Sequence, residues 1–85
     1  MRVALASALR SYTQNREHVA ASGATVDELL RSLDGSYPGI RFRIVDEQER
    51  IRVHIRIFVN RELAGLHSPV REGDDVQILC ALSGG

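Results

Sequence analysis

Ile51, Val53, Ile55, Ile57 and Val59 occupy every second position without a break, and no other run limits the fold so strongly. An extended strand points alternate side chains to opposite faces, so this pattern gives a sheet one continuous apolar face. Such a face has to be covered. One segment has the pattern to do it: Val26, Leu29, Leu30 and Leu33 recur at helical spacing and form a single apolar stripe. The start of that helix is written locally. The Thr25 hydroxyl can accept the Glu28 backbone N–H while the Glu28 side chain reaches back to the Thr25 N–H. Asp27 and Glu28 also sit at the positive end of the helix dipole.

The remaining segments supply the rest of a small sheet. Val3, Leu5 and Leu9 mark a first strand, with Ala4 and Ala6 on its other face. Residues 1–9 have the look of a short leader, but the run meets Arg10 at once and falls far short of the ~20 apolar residues of a membrane span. Residues 11–16 are polar and contain Asn15, which suggests a turn, and residues 17–20 read as a second strand that Ser22-Gly23 breaks. Asp34-Gly35 and Tyr37-Pro38-Gly39 are expected to end the helix. Ile40, Phe42 and Ile44 alternate with Arg41 and Arg43, suggesting a short extended stretch, and Asp46-Glu47-Gln48-Glu49 a solvated turn. Asn60-Arg61-Glu62 turns the chain into a brief strand over residues 63–66. After the turn at 71–75, Val76, Ile78, Cys80 and Leu82 form a final strand that runs into Ser83-Gly84-Gly85.

The order β-β-α-β-(β)-β predicts an α+β fold: a mixed four- to five-stranded sheet with one main helix packed across it. We expect one domain over residues 1–82 and a flexible diglycine tail over 83–85, and a chain of 85 residues has room for one core. Eleven basic and eleven acidic residues cancel, leaving no general field for nucleic acid or an anionic membrane. The single cysteine, Cys80, excludes an intrachain disulfide and a multi-thiolate metal site, and fits a reducing cytosol. Its parity with Val76 and Ile78 points it inward as a buried, inert thiol. A bond from Cys80 to the tail would have to close about 16 Å of extended chain. His18, His54 and His67 lie on separate elements without metal-ligand spacing, and no phosphate loop or nucleophile–base pair is present. No catalytic residue, metal or bound cofactor is therefore expected.

Two further features bear on function. Glycine at both final positions removes side chains from the end, which reads either as a frayed terminus or as a slim stalk presenting the Gly85 α-carboxylate. The second concerns the far face of the sheet. If Val53, Ile55 and Ile57 face the helix, Phe58 points away from it, and by the same parity Leu79, Ala81, Ala4 and Ala6 share its face. Arg52, His54 and Arg56 would flank that patch, and contiguous exposed apolar patches usually mark docking sites. All eleven basic residues are arginine. No side-chain amine can accept an isopeptide bond, so the chain can donate its terminus but cannot build lysine-linked chains of itself.

Order and tail together resemble the ThiS/MoaD family of sulfur-carrier proteins, small ubiquitin-like β-grasp domains. The matching pieces are the helix start from Gly23 to Leu30, Phe58-Val59-Asn60, the acidic turn Arg71-Glu72-Gly73-Asp74-Asp75-Val76, and the terminal Leu82-Ser83-Gly84-Gly85. Within the family, Leu9-Arg10, Ala21-Ser22-Gly23 and Tyr37-Pro38-Gly39-Ile40 look most like the CysO-type carriers of cysteine biosynthesis. Molybdopterin-synthase small subunits are similar overall but often carry Pro-Pro-Val where Cys80-Ala81-Leu82 stands.

The resemblance implies that Gly85 is the sulfur-accepting residue, with Ser83 and Gly84 threading into a partner. A ubiquitin-activating-type adenylyltransferase would activate the carboxylate with ATP, sulfur transfer would make a thiocarboxylate, and a synthase would accept the sulfur. The free protein would be a cytoplasmic monomer and a co-substrate rather than an enzyme. The other implied readings are a molybdopterin-synthase subunit and, in a different class, a modifier conjugated to target lysines.

Overall fold

The computed structural model describes residues 1–81, so Leu82, Ser83, Gly84 and Gly85 lie outside the described residues. Five strands form one mixed sheet: β1 (Arg2–Leu5), β2 (His18–Ala20), β3 (Ile55–Val59), β4 (Glu62–Ala64) and β5 (Asp75–Cys80), in the order β2-β1-β5-β3-β4. β5 lies at the centre, parallel to β1 and antiparallel to β3. Helix α1 (Val26–Ser36) buries Val26, Leu29, Leu30 and Leu33. They join Val3, Leu5, Ile55, Ile57, Val76 and Ile78 from the inner face of the sheet in one core. The expected stripe-on-sheet architecture is the one observed.

The start of α1 follows its local chemistry with one shift. The Glu28 N–H donates to Thr25 Oγ1 at 3.2 Å, but Glu28 Oε1 accepts from the N–H of Ala24 (3.0 Å) rather than Thr25. The N–H groups of Val26 and Asp27 donate instead to the carbonyls of Ser68 and Leu66. A loop thus satisfies part of the exposed helix end.

Four sequence expectations fail, each because a tertiary contact overrides a local pattern. Leu9 is not on β1, which stops at Leu5; a 3-10 helix over Ser7–Thr13 follows and buries Leu9. Of the two expected stops, Asp34-Gly35 does not end α1, which continues to Ser36 and is capped at Tyr37. The Asp34 carboxylate accepts from the N–H groups of Gly39 (3.0 Å) and Arg41 (3.1 Å), fixing the next element. That element is a short helix, α2 (Ile40–Ile44), not an extended stretch. Ile40 and Ile44 are one helical turn apart and both buried, while Phe42 between them faces outward.

The fourth failure is the long strand. β3 begins only at Ile55. Ile51 makes an isolated antiparallel bridge with Val45, and the Arg52 N–H donates to the Ile44 carbonyl at 2.9 Å. The chain then turns through Val53 and His54, leaving Val53 88% exposed instead of facing the helix.

Four alternating charges tie α1, α2 and the 46–50 turn together. The Arg41 guanidinium, mostly buried, donates to Asp27 Oδ1 (2.7 Å) and Glu49 Oε1 (2.9 Å), and Arg31 bridges the same two carboxylates at 3.0 and 3.2 Å. Hydrogen bonding from Arg41, and secondarily from Arg31, holds the Asp27 carboxyl below its ordinary range against the opposing effect of burial. A depressed carboxylate stabilises the fold above its unfolded pKa and loses that contribution as pH falls through the folded value. Asp27→Asn is therefore expected to cost about 1 kcal/mol at neutral pH. Its stability should also fall less steeply than that of the wild type below about pH 4, as read by urea titrations at stepped pH.

Candidate functional site

β5 carries the chain to its last described residues from the middle of the sheet, where β1 and β3 hold it on both sides. The Ala81 N–H donates to the His54 carbonyl at 2.7 Å, so the hold continues one residue past β5. Ser83, Gly84 and Gly85, the residues expected to carry the chemistry, lie outside the described residues. Their covalent reach is still bounded. Four residues beyond Ala81 span at most about 14 Å. A partner acting on Gly85 has to come within that distance of Ala81.

Register places the expected docking residues on one face. Ala4 on β1 lies beside Gln77 on β5, which lies beside Phe58 on β3, which lies beside Leu63 on β4. One row nearer the exit, Leu79 pairs with Arg56. Ala6, just past β1, donates its N–H to the Ile78 carbonyl at 2.9 Å. Phe58, Ala4 and Ala6 are half-buried, whereas Leu79 and Ala81 are exposed. Ala4, Phe58 and Leu79 thus share the face away from α1, with Ala6 and Ala81 just past the ends of β1 and β5, but Gln77 stands between Ala4 and Phe58, and Arg56 stands beside Leu79.

Sequence reasoning missed Leu63, which is 67% exposed and extends the Phe58 row. The tight Asn60-Arg61 turn, with both residues at positive φ, was the available signal, because a two-residue hairpin sets Leu63 opposite Phe58. Arg52 departs from its expected place. It lies over the Phe42 ring at 4.7 Å and donates Nε–H to the Phe42 carbonyl at 2.8 Å, beside α2 rather than on the sheet face. Arg56 remains on β3, and its Nη1 donates to the carbonyls of Val53 (2.6 Å) and Ile55 (3.0 Å).

Cys80 keeps the expected inward parity and packs against the core, but it is half-buried rather than buried, because it ends β5 where the sheet gives way to solvent. His18 lies on β2, His54 in the turn before β3 and His67 after β4. Among the described residues, no three His, Cys, Asp or Glu side chains come together as a metal-holding group. No described helix is long and apolar enough to cross a membrane.

One helix across a mixed five-stranded sheet, with the last strand central and leading out, defines a ubiquitin-like β-grasp protein. Residues 3–85 match the model of the ThiS family, and the chain belongs to that family. It is similar to the sulfur carrier protein CysO of Mycobacterium tuberculosis, at 34% identity over 98% of this chain and 96% of that one. Among solved structures, it superposes on a chain of the Amycolatopsis orientalis BexX/CysO complex with a TM-score of 0.91. Identity there is 35%, covering 99% of this chain and 98% of the other. SAMP1 of Haloferax volcanii, a small archaeal modifier protein, shares the fold with a TM-score of 0.80 at 29% identity, over 100% of this chain and 98% of that one.

Proposed function

We propose that this chain is a sulfur carrier that works through the Gly85 α-carboxylate and serves the biosynthesis of cysteine or a related thiol metabolite. The observation that carries this reading is the family match running through the terminal Ser83-Gly84-Gly85, joined to a central strand that leads into those residues. A carboxylate resists nucleophiles because its own charge repels them and oxide is a poor leaving group. Attack of the carboxylate oxygen on the α-phosphorus of ATP, with loss of pyrophosphate, would give an acyl-adenylate. Hydrosulfide then displaces AMP and leaves a thiocarboxylate, whose sulfur stays anionic and nucleophilic at neutral pH, as a thiolate does. A ubiquitin-activating-type adenylyltransferase would perform the activation, and a separate synthase would take the sulfur.

In this scheme the domain supplies no acid, base or metal. It positions its end and offers a docking face, with Phe58, Leu79, Ala81, Ala4 and Ala6 as its apolar part. The test is the intact mass after incubation with ATP, sulfide and a purified ubiquitin-activating-type enzyme from the same organism. One oxygen replaced by sulfur at Gly85 is the expected product, and an unchanged mass rules the carrier out.

A second reading, conjugation to target lysines, is favoured by the likeness to SAMP1. It predicts adducts joined through Gly85 when lysine-bearing proteins are added to the same reaction.

A further inference from the structure

The break in the strand at residues 51–54 places apolar and cationic groups together where the chain leaves the sheet. Four large hydrophobic residues stand exposed among the described residues, and three of them, Phe42 (57%), Val53 (88%) and Leu79 (41%), lie on that side. A chain of contacts joins them. Arg52 stacks on Phe42, Val53 follows Arg52 in sequence, and Arg56 reaches back to the Val53 carbonyl from its place opposite Leu79. The Ala81 N–H bond to His54 fixes the last described residue against the same turn.

The charge here leans positive. Arg43 and Arg56 are exposed, and among the described residues neither they nor Arg52 forms an ion pair, whereas Arg31 and Arg41 are matched by Asp27 and Glu49. The acidic 46–49 segment borders Phe42 but is largely engaged: Asp46 accepts from the N–H groups of Gln48 and Arg50 and feels the Arg52 charge, and Glu49 pairs with Arg31 and Arg41, which leaves Glu47. Three unpaired arginines could be an ordinary solvated surface. An 88% exposed valine between two of them, next to the His54 carbonyl that holds Ala81, is harder to account for that way. Arginine and apolar side chains with no carboxylate partner of their own are the composition of an interface whose other half is acidic.

We propose that Phe42, Arg52, Val53 and Arg56 form a second docking surface at the foot of the tail, adjoining the Phe58 face where Arg56 stands beside Leu79. Its occupant is an acidic patch on the adenylating enzyme. This surface rests on the carrier reading, because the short reach from Ala81 is what obliges the enzyme to settle here. Its arginines steer the encounter through space, and Val53 and Phe42 supply the apolar contact once the surfaces meet.

The test uses the full chain in the thiocarboxylation assay with the same purified enzyme. Val53→Glu and Arg56→Glu should each raise the KM for the carrier about tenfold with kcat within about twofold, because docking is weakened and the reacting end is untouched. Added salt should lower kcat/KM for the wild type, and less steeply for Arg56→Glu. Arg61→Glu makes the same change in net charge at the opposite end of β3 and should behave as wild type. Val53 is exposed enough that its substitution spares the fold, so a KM unmoved in Val53→Glu and Arg56→Glu overturns the surface. So does an equal rise in Arg61→Glu. A wild-type chain that never gains sulfur overturns the carrier reading, and the surface with it.

Discussion

Gly84→Val is expected to abolish formation of the thiocarboxylate, lowering the rate of activation by at least about a hundredfold while leaving the melting curve unchanged. The residue lies one position from the carbon that must be attacked, so a side chain there meets whatever encloses the reacting carboxylate. Valine is the severe choice, because its branched Cβ restricts the backbone and adds bulk that cannot swing away. The tether leaves little room to compensate. With Ala81 held by the His54 carbonyl, the end can reach only about 14 Å, and a domain already docked cannot retreat to make space. ATP–pyrophosphate exchange isolates the adenylation step, and intact mass reports the sulfur. Normal exchange by Gly84→Val would sink the threading idea. The contrast with Val53→Glu is diagnostic: the tail variant should fail in kcat and the surface variant in KM.

What was legible in the sequence was whatever a local pattern dictates. The α1 stripe and the Thr25 cap depend on neighbours within one or two turns, and both appear where the spacing places them. Register on β1, β3 and β5 followed from strict alternation, so the face shared by Ala4, Phe58 and Leu79 was readable too. The failures cluster in residues 34–54, where one pattern suits two structures. Ile40, Phe42 and Ile44 alternate like a strand, yet Ile40 and Ile44 also lie one helical turn apart. The carboxylate of Asp34 and the ion pairs of Arg41 settle the choice for helix. Val53 likewise continues a perfect period-2 run, and the turn closed by the Ile55 N–H on the Arg52 carbonyl, anchored by the bond from the Arg52 N–H to the Ile44 carbonyl, sends it outward. No spacing rule encodes those bonds. The part of the site that alternation misassigned is therefore the part that carries the second docking surface.

Gly23→Ala is expected to remove about 3 kcal/mol of stability, the upper part of the range for forcing an atom into a packed site. The motif Gly23-Ala24-Thr25 was recognisable in the sequence, but the reason for its glycine is tertiary. A Cβ at position 23 would lie 2.5 Å from the Leu29 backbone nitrogen and 2.8 Å from the Glu28 carbonyl carbon. Backbone atoms cannot rotate aside as a flexible side chain can, so either the 22–24 segment or the first turn of α1 must move. Both are held. Ala24 is bonded through its N–H to Glu28 and through its carbonyl to the N–H of Val70, while Val26 and Asp27 donate to Ser68 and Leu66. Shifting the helix would strain these bonds and displace Leu29 and Leu30 from the core. For a domain of this size, whose total stability is on the order of 4–13 kcal/mol, the loss corresponds to a fall in Tm of about 15 °C. Gly35 supplies the opposite sign. It lies inside α1, and a methyl group added there would meet nothing within 4 Å, so Gly35→Ala should stabilise the chain by about 0.5–1 kcal/mol. Urea titrations of the two variants side by side decide the matter: a Gly23→Ala protein as stable as wild type would mean that the helix start yields, and that its fixed position does not anchor the fold.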